Sequence, residues 1–190
     1  MNDLLHQTLA DVAQFLQREG IRYALIGGIA ASVRGQPRAT ADVDLVIAAD
    51  VDRALMLLRA LPDSSFLPLF AGVEEVVERA FILPMRHLTT GIKVDLAIGL
   101  SGFEQQAIAR AEPIDVSGHT ISVATAEDLI LLKLLAGRPQ DEQDIRGILM
   151  AQHDAIDWCY CLRVAEELEE ATGQTLVQRV RELREGSGVP

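Results

Sequence analysis

The sequence predicts an α+β fold, with a sheet-containing core in residues 1–124 and a helical part in residues 125–190. Two observations lead to this prediction. Between residues 23 and 123, short apolar runs separated by turn residues are typical of strands. From Thr125 onward, the apolar residues recur at helical spacing. A chain of 190 residues is also long enough to bury a core of its own.

The individual elements follow from local signals in chain order. Residues 3–19 carry apolar side chains at helical spacing, and this helix stops at Gly20. Residues 23–26 form a short apolar run, which predicts a buried strand ending at Gly27-Gly28. The remaining core elements are a helix at 29–33, a strand at 43–48, a helix at 51–60 capped by Asp50, an ambiguous stretch at 64–80, strands at 81–88 and 92–98, a helix at 103–111 and a hairpin at 113–123. The helical part is predicted to contain helices at 125–136, 140–150, 155–171 and 174–185.

Composition excludes several classes of protein. The formal net charge is −11, whereas a protein that follows long stretches of phosphate backbone is normally basic. Extended nucleic-acid binding is therefore not expected, although a local basic patch over one RNA end is compatible with this charge. No apolar run is long enough to cross a membrane, and the acidic N-terminus lacks the basic region of a signal peptide. The expected location is the cytoplasm.

Three aspartates are candidate metal ligands. Asp42 and Asp44 lie two residues apart at the start of a predicted strand, so both point to one face. Adjacent carboxylates repel each other unless a positive group lies between them, and hard carboxylate oxygens suit Mg²⁺. Asp95 interrupts one face of a later apolar strand, with Lys93 on the same face. Each aspartate alone favours a structural ion pair, but the three together are typical of a two-metal clamp for phosphoryl transfer.

Gly27-Gly28 stands between a predicted strand and the next helix. Such a turn lets backbone N–H groups approach a phosphate, and the helix dipole favours negative charge there. A glycine pair alone indicates only a tight turn. Followed by Asp-x-Asp and a third aspartate on a strand, it is much stronger evidence of a turn that binds phosphate.

These motifs resemble those of a known family. The stretch ALIGGIAASVRGQPRATADVDLVI resembles the nucleotidyltransferase fold of the DNA polymerase beta superfamily, which pairs such a turn with Asp-x-Asp and a third acid. The stretch TAEDLILLKLLAGRPQDEQDI resembles the C-terminal signature of minimal AbiEii-type abortive-infection toxin nucleotidyltransferases. The resemblance covers residues 20–150. It implies a nucleotidyltransferase-like mixed sheet flanked by helices, with the helical C-terminal part completing the site.

The chain departs from the family at one position. Many members have serine after the first glycine of the turn, where this chain has Gly28. Phosphate contacts must then come from the backbone or from basic side chains. Arg34 and Arg38, which precede Asp42, are the candidates, although exposed arginines are equally often solvated surface charge.

Lys133 lies in a helix that is apolar on nearly every side, where a lysine either extends to water or meets an anion. Asp144 shares a helix face with Asp141, Ile145 and Ile148, so it points to the packed side, which favours an ion pair or a functional couple with Lys133. Matching positions are implicated in activity in the toxin family. The resemblance therefore implies that Lys133 contacts the triphosphate and that Asp144 orients this lysine.

The resemblance implies a Mg²⁺-dependent enzyme that moves an NMP from an NTP, such as ATP, to an acceptor hydroxyl. Two Mg²⁺ ions held by Asp42, Asp44 and Asp95 are expected, with the phosphates over Gly27-Gly28. A toxin would modify tRNA or a protein and would have a cognate antitoxin as partner. The alternatives are an antibiotic-type adenylyltransferase that acts on a small molecule, and a catalytically degenerate module that binds a nucleotide or a partner.

Overall fold

The computed structural model describes residues 3–186, so the last four residues of the predicted helical part lie outside the described residues. The helices are α1 (Asp3–Arg18), α2 (Gly27–Arg34), α3 (Val51–Ala60), α4 (Val73–Ala80), α5 (Gly102–Arg110), α6 (Ala126–Ala136), α7 (Pro139–Gln152), α8 (Trp158–Thr172) and α9 (Val177–Gly186), with short 3₁₀ turns at Leu61–Asp63 and His153–Ala155. The strands are β1 (Tyr23–Ile26), β2 (Asp42–Ile47), β3 (Phe66–Pro68), β4 (Ile82–His87), β5 (Lys93–Ile98), β6 (Glu112–Val116) and β7 (His119–Val123). The predicted α+β fold is confirmed. None of the described helices is long and apolar enough to span a membrane.

The strands form one mixed sheet in the order β3-β4-β5-β2-β1-β7-β6. Strand β2 pairs with β5 in parallel and with β1 in antiparallel orientation. The order places β2 and β5, which carry the three candidate aspartates, side by side in the middle of the sheet. Central strands are predicted to be apolar on at least one face, as both of these are.

The described chain divides into two compact units. The sheet unit contains the residues up to Ile29 and Ala39–Ala124, and therefore the whole sheet. The helical unit contains Ala30–Arg38 and the residues from Thr125 onward. The sequence predicts that the segment Ala30–Arg38 belongs to the sheet-containing part, residues 1–124. In the structure this segment instead groups with the C-terminal helices.

Helix α1 covers the apolar face of the sheet. Its Phe15 ring lies 6.1 Å from the Phe66 ring, which in turn meets the edge of the His87 imidazole at 5.1 Å. His87 is buried, and its Nε2 lies 2.9 Å from Asp11 on α1. Because its Nδ1 accepts the backbone N–H of Thr90, Nε2 carries the proton and donates to Asp11. This bond fixes the helix over the β4–β5 hairpin.

Two features differ from the sequence-based elements. Helix α2 begins at Gly27 rather than at residue 29, because the positive φ of Gly27 (67°) lets the strand turn directly into the helix. Within the ambiguous stretch 64–80 the structure contains both α4 and the strand β3. A strand of three residues that ends in proline is too short to show the alternation of apolar and polar side chains by which a strand is predicted. It is identified only by its pairing with β4 in the folded structure.

Candidate functional site

The structure brings Asp42, Asp44 and Asp95 together on one face of the sheet. The parallel register of β2 and β5 sets Asp44 beside Asp95 and Asp42 beside Lys93. Since neighbouring strands lie about 4.8 Å apart, the three carboxylates share a small area, which we call the aspartate face. All three are half-buried, whereas the side chains on the opposite face of both strands are buried and apolar.

Asp95 has two different oxygen environments. Its Oδ2 accepts a hydrogen bond from Lys93 Nζ at 2.6 Å, the ion pair that the sequence offered as the structural explanation. Its Oδ1 is buried and has no hydrogen-bond partner among the described residues. The hydrogen bond that Lys93 donates to Asp95, together with the charges of Asp95, Asp42 and Asp44, outweighs burial and raises the pKa of Lys93. Lys93 therefore interacts electrostatically with all three acids.

Asp44 is in close contact with the glycine turn. A Cβ atom on Gly27 would lie 2.1 Å from Asp44 Oδ2, well inside van der Waals contact. The positive φ of Gly27 adds a second reason for glycine at this position. The Asp44 side chain therefore occupies the space that a side chain at position 27 would need. The N-terminus of α2 begins at this contact.

The aspartate face is a metal-binding candidate that requires some rearrangement. Within residues 3–186, no group of three or more His, Cys, Asp or Glu side chains is placed to hold a metal ion as it stands. Lys93 holds one oxygen of Asp95, and Thr40 Oγ1 donates to Asp42 Oδ1 at 3.1 Å. The oxygen donors fit Mg²⁺ chemically, and the unpartnered Asp95 Oδ1 is the donor that a cation would satisfy.

In the helical unit, Lys133 comes close to two aspartates because of the turn after its helix. Helix α6 is buried along most of its length and packs against α7 and α8. Gly137, in the left-handed conformation, ends α6 and lets α7 fold back beside it. The first turns of α7 then place Asp141 and Asp144 on the face that meets Lys133.

Lys133 lies at the centre of a buried ion network. Its Nζ donates to Asp144 at 2.6 Å and to Asp141 at 3.3 Å. Asp144 also accepts two bonds from the Arg38 guanidinium, at 2.5 and 2.9 Å. Asp141 accepts two from the Arg138 guanidinium, at 2.8 and 3.1 Å. The side chains of the lysine and both aspartates are at most 5% exposed.

The network determines how these aspartates titrate. Burial alone would raise the pKa of Asp144, but hydrogen bonds from Arg38 and Lys133, with their charges, outweigh it and lower the pKa. The pKa of Asp141 is also lowered, because Arg138 and Lys133 outweigh the raising effect of burial. Both carboxylates are therefore charged at neutral pH and bind their cations in that form.

We expect an acid-labile helical unit. Because these pKa values are lower in the folded protein than in the unfolded chain, the stabilisation is complete above the ordinary aspartate pKa of about 3.9. It is lost as the pH falls through the lowered, folded-state pKa. The urea midpoint, followed by fluorescence of Trp158, the single tryptophan, should fall below about pH 4. An Asp141→Asn/Asp144→Asn variant should show a shallower fall, and an unchanged slope would contradict this role.

The two candidate arginines have different environments. The Arg38 guanidinium donates two hydrogen bonds to the Asp144 carboxylate. Arg34 ends α2, and its carbonyl accepts the Gln152 amide at 2.5 Å. The sequence grouped both arginines with phosphate contacts and named Asp141 only as a residue on the helix face of Asp144, without a cation partner. The spacing of Asp141 and Asp144, three residues apart on one helix face, is the signal that could have identified the wider network.

Comparisons with known proteins place this chain in a family. The model of the family described as "Nucleotidyltransferase of unknown function (DUF6036)" matches residues 4–184. No curated protein matches the chain. An antigenic nucleotidyltransferase-like protein from Paracoccidioides brasiliensis is 22% identical, with 82% of this chain and 78% of that chain covered and a TM-score of 0.57.

Two antibiotic-modifying proteins have a similar structure. The lincomycin-bound lincosamide antibiotic adenylyltransferase LnuA is 15% identical, with 78% of this chain and 96% of that chain covered and a TM-score of 0.52. ANT(2")-Ia, in complex with adenylyl-2"-tobramycin, is 13% identical, with 95% of each chain covered and a TM-score of 0.54. At these identities the likeness shows the fold alone, and it confirms the predicted nucleotidyltransferase-like sheet with C-terminal helices.

Proposed function

Because the chain belongs to the nucleotidyltransferase family DUF6036, and is thus a transferase, we propose that it moves an NMP from an NTP to an acceptor hydroxyl with Mg²⁺ at the aspartate face. The observation that carries this proposal is the β2–β5 register, which sets Asp44 beside Asp95 while Gly27 lies against Asp44. Three carboxylates beside a glycine turn at a helix start are suited to holding a cation and a phosphate together.

Each residue of this site has an assigned part. Asp42, Asp44 and Asp95 would hold Mg²⁺, whose chemistry is to neutralise charge on the phosphates and on the attacking oxygen. Gly27-Gly28 would offer backbone N–H groups to the phosphates, since a helix start favours anions. The acceptor hydroxyl attacks the α-phosphate near Asp95, the bond between the α- and β-phosphates breaks, and pyrophosphate leaves. Positioning and charge stabilisation account for most of the catalysis.

We also propose roles for the basic side chains. Lys133 would steady the triphosphate, and its 2.6 Å bond to Asp144 supports an orienting part for that aspartate. Arg34 and Arg38 remain proposed phosphate contacts. For Arg38, such a contact would require the guanidinium to loosen from Asp144.

The acceptor separates two candidate functions. A toxin-type enzyme would modify tRNA or a protein in the cytoplasm and be neutralised by an antitoxin, and this AbiEii-type assignment stays a prediction. Transfer to a small molecule is the second candidate, favoured by the likeness to LnuA with bound lincomycin and to ANT(2")-Ia with adenylyl-tobramycin. The net charge of −11 is compatible with a cationic acceptor of this kind.

A labelled-NTP transfer assay tests the proposal. The protein is incubated with each α-labelled NTP and Mg²⁺, in separate reactions with total tRNA, lincomycin and tobramycin. Label on an acceptor, with pyrophosphate release, is the expected result, and EDTA should abolish it. Thermal stabilisation by Mg²⁺ and an NTP without label or pyrophosphate in any reaction would replace the enzyme with the degenerate binding module.

We expect Gly27→Ala to lower transfer activity about 100-fold, because the new Cβ would displace the Asp44 carboxylate. Gly20→Ala is the matched control. Gly20 has nearly the same backbone angle (φ 68° against 67°), but nothing lies within 4 Å of its Cβ position. Both variants carry the strain of a positive φ, roughly 1–2 kcal/mol, so melting temperatures should fall in both. Equal activity of the two variants would show that the Asp44 contact is unimportant.

A further inference from the structure

We propose that Lys93 is a built-in counter-ion of the aspartate face, a positioning residue that holds Asp95 and competes with a divalent cation for its carboxylate. The inference rests on the proposed function, because it concerns the same carboxylates. The sequence offered this lysine only as an ion-pair partner of Asp95, with no part in cation binding. Its action is electrostatic: it compensates the three acids until a cation takes its place.

The position of Lys93 places its charge among the acids. In the register of β2 and β5 it lies beside Asp42, and its Nζ bonds Asp95 Oδ2 at 2.6 Å. A cation that took Asp95 Oδ2 as a ligand would meet the ammonium at the same oxygen. Two positive groups that share one carboxylate oxygen repel each other strongly at a half-buried site, so the ammonium must move away when the cation binds.

Lys93 is able to leave, unlike the other lysine of the chain. Its side chain is 42% exposed, on a flexible four-carbon stem that can carry the ammonium into water. Lys133 by contrast is 5% exposed and is bonded by two aspartates. The exposed lysine therefore serves as an exchangeable charge, and the buried one is fixed.

Asp95 Oδ1 gives the second observation. With Oδ2 bonded to Lys93, the carboxylate is turned so that Oδ1 is buried without a partner. A buried carboxylate oxygen normally accepts at least one hydrogen bond or binds an ion. Lys93 thus holds Asp95 in an orientation that leaves Oδ1 available to a cation. A cation that bound both oxygens would have to displace Lys93 from Oδ2.

The test measures Mn²⁺ binding without nucleotide by isothermal titration calorimetry, and melting temperature in EDTA and in Mn²⁺. Lys93→Met removes the charge and keeps the stem, and it should lower the Kd for Mn²⁺ about ten-fold. Its melting temperature should fall in EDTA, where three acids lose their counter-ion, and recover in Mn²⁺. Lys93→Arg should bind Mn²⁺ within about three-fold of the wild type, because it restores the charge.

Arg86→Met is the matched control. Arg86 lies beside Lys93 on the adjacent strand β4, is exposed and makes no ion pair with a described residue. Its removal should change the Kd for Mn²⁺ by less than about two-fold, since the charge is one strand farther from the acids. Lys93→Gln provides the same measurement where Lys93→Met does not fold.

The outcomes separate this inference from the proposed function. A wild type that binds Mn²⁺ with a Lys93→Met variant of the same Kd overturns the counter-ion role alone. Equal losses of melting temperature in EDTA and in Mn²⁺ would identify a packing role for the stem and also overturn it. A wild type that binds no Mn²⁺ and transfers no label overturns the proposed function, and the inference falls with it.

Discussion

Asp44→Asn will lower kcat/KM for nucleotidyl transfer about 10³-fold or more, while the protein remains folded. Asparagine has the same shape but no charge, so the packing against Gly27 is retained and the cation ligand is lost. Asp44 is the acid that connects the other parts of the site, because it lies beside Asp95 and against the glycine turn. Transfer is measured with the labelled NTP and acceptor that the wild type uses, over a range of Mg²⁺ concentrations.

Stability distinguishes this effect from simple unfolding. Removing one of three neighbouring negative charges relieves repulsion, so the melting temperature of Asp44→Asn in EDTA should equal or exceed that of the wild type. Asp52→Asn is the control: Asp52 is an exposed acid in the first turn of α3, in the same unit. It should leave activity within about two-fold, as surface substitutions generally do. Full activity in Asp44→Asn would rule out the proposed metal site.

Much of the aspartate face could be predicted from sequence because it depends on local periodicity. Because side chains alternate along a strand, Asp42 and Asp44, two residues apart, must share a face. For the same reason Asp95 must lie on the face opposite to its apolar neighbours in the strand. The pairing of Asp44 with Asp95, rather than of Asp42 with Asp95, is a matter of register. Register depends on the packing of whole strands and is not encoded in either segment alone.

The ion network shows the same division between local and long-range information. Lys133 and Asp144 are eleven residues apart, on helices joined by one turn, and their pairing followed from helix faces. Arg38 lies 106 residues before Asp144, and nothing in its neighbourhood indicates this partner. The turn that brings Arg38 there depends on close backbone packing, since a Cβ on Gly35 would lie 2.7 Å from the Gly147 backbone. Contacts of this kind are properties of the folded chain.

We expect Asp144→Asn to destabilise the helical unit by about 3–5 kcal/mol. Its carboxylate binds both the Lys133 ammonium and the Arg38 guanidinium, and its side chain is 3% exposed. The amide that replaces it cannot compensate either charge, so the buried lysine keeps only its longer bond to Asp141. Since a typical domain is stable by only about 5–15 kcal/mol, this loss should be plain in urea unfolding followed by Trp158 fluorescence.

The order of the variants gives the sharper test. Lys133→Met should cost less than Asp144→Asn, because it removes the buried cation while leaving Asp144 with Arg38 and Asp141 with Arg138. An exposed pair on α8 is the control: Glu167→Gln, which breaks the 2.7 Å bridge to Arg163, should change stability by less than about 1 kcal/mol. If Lys133→Met proved the more damaging substitution, the lysine rather than Asp144 would be the centre of the network. If all three variants were equally mild, the network would contribute nothing that the apolar packing of α6 does not already supply.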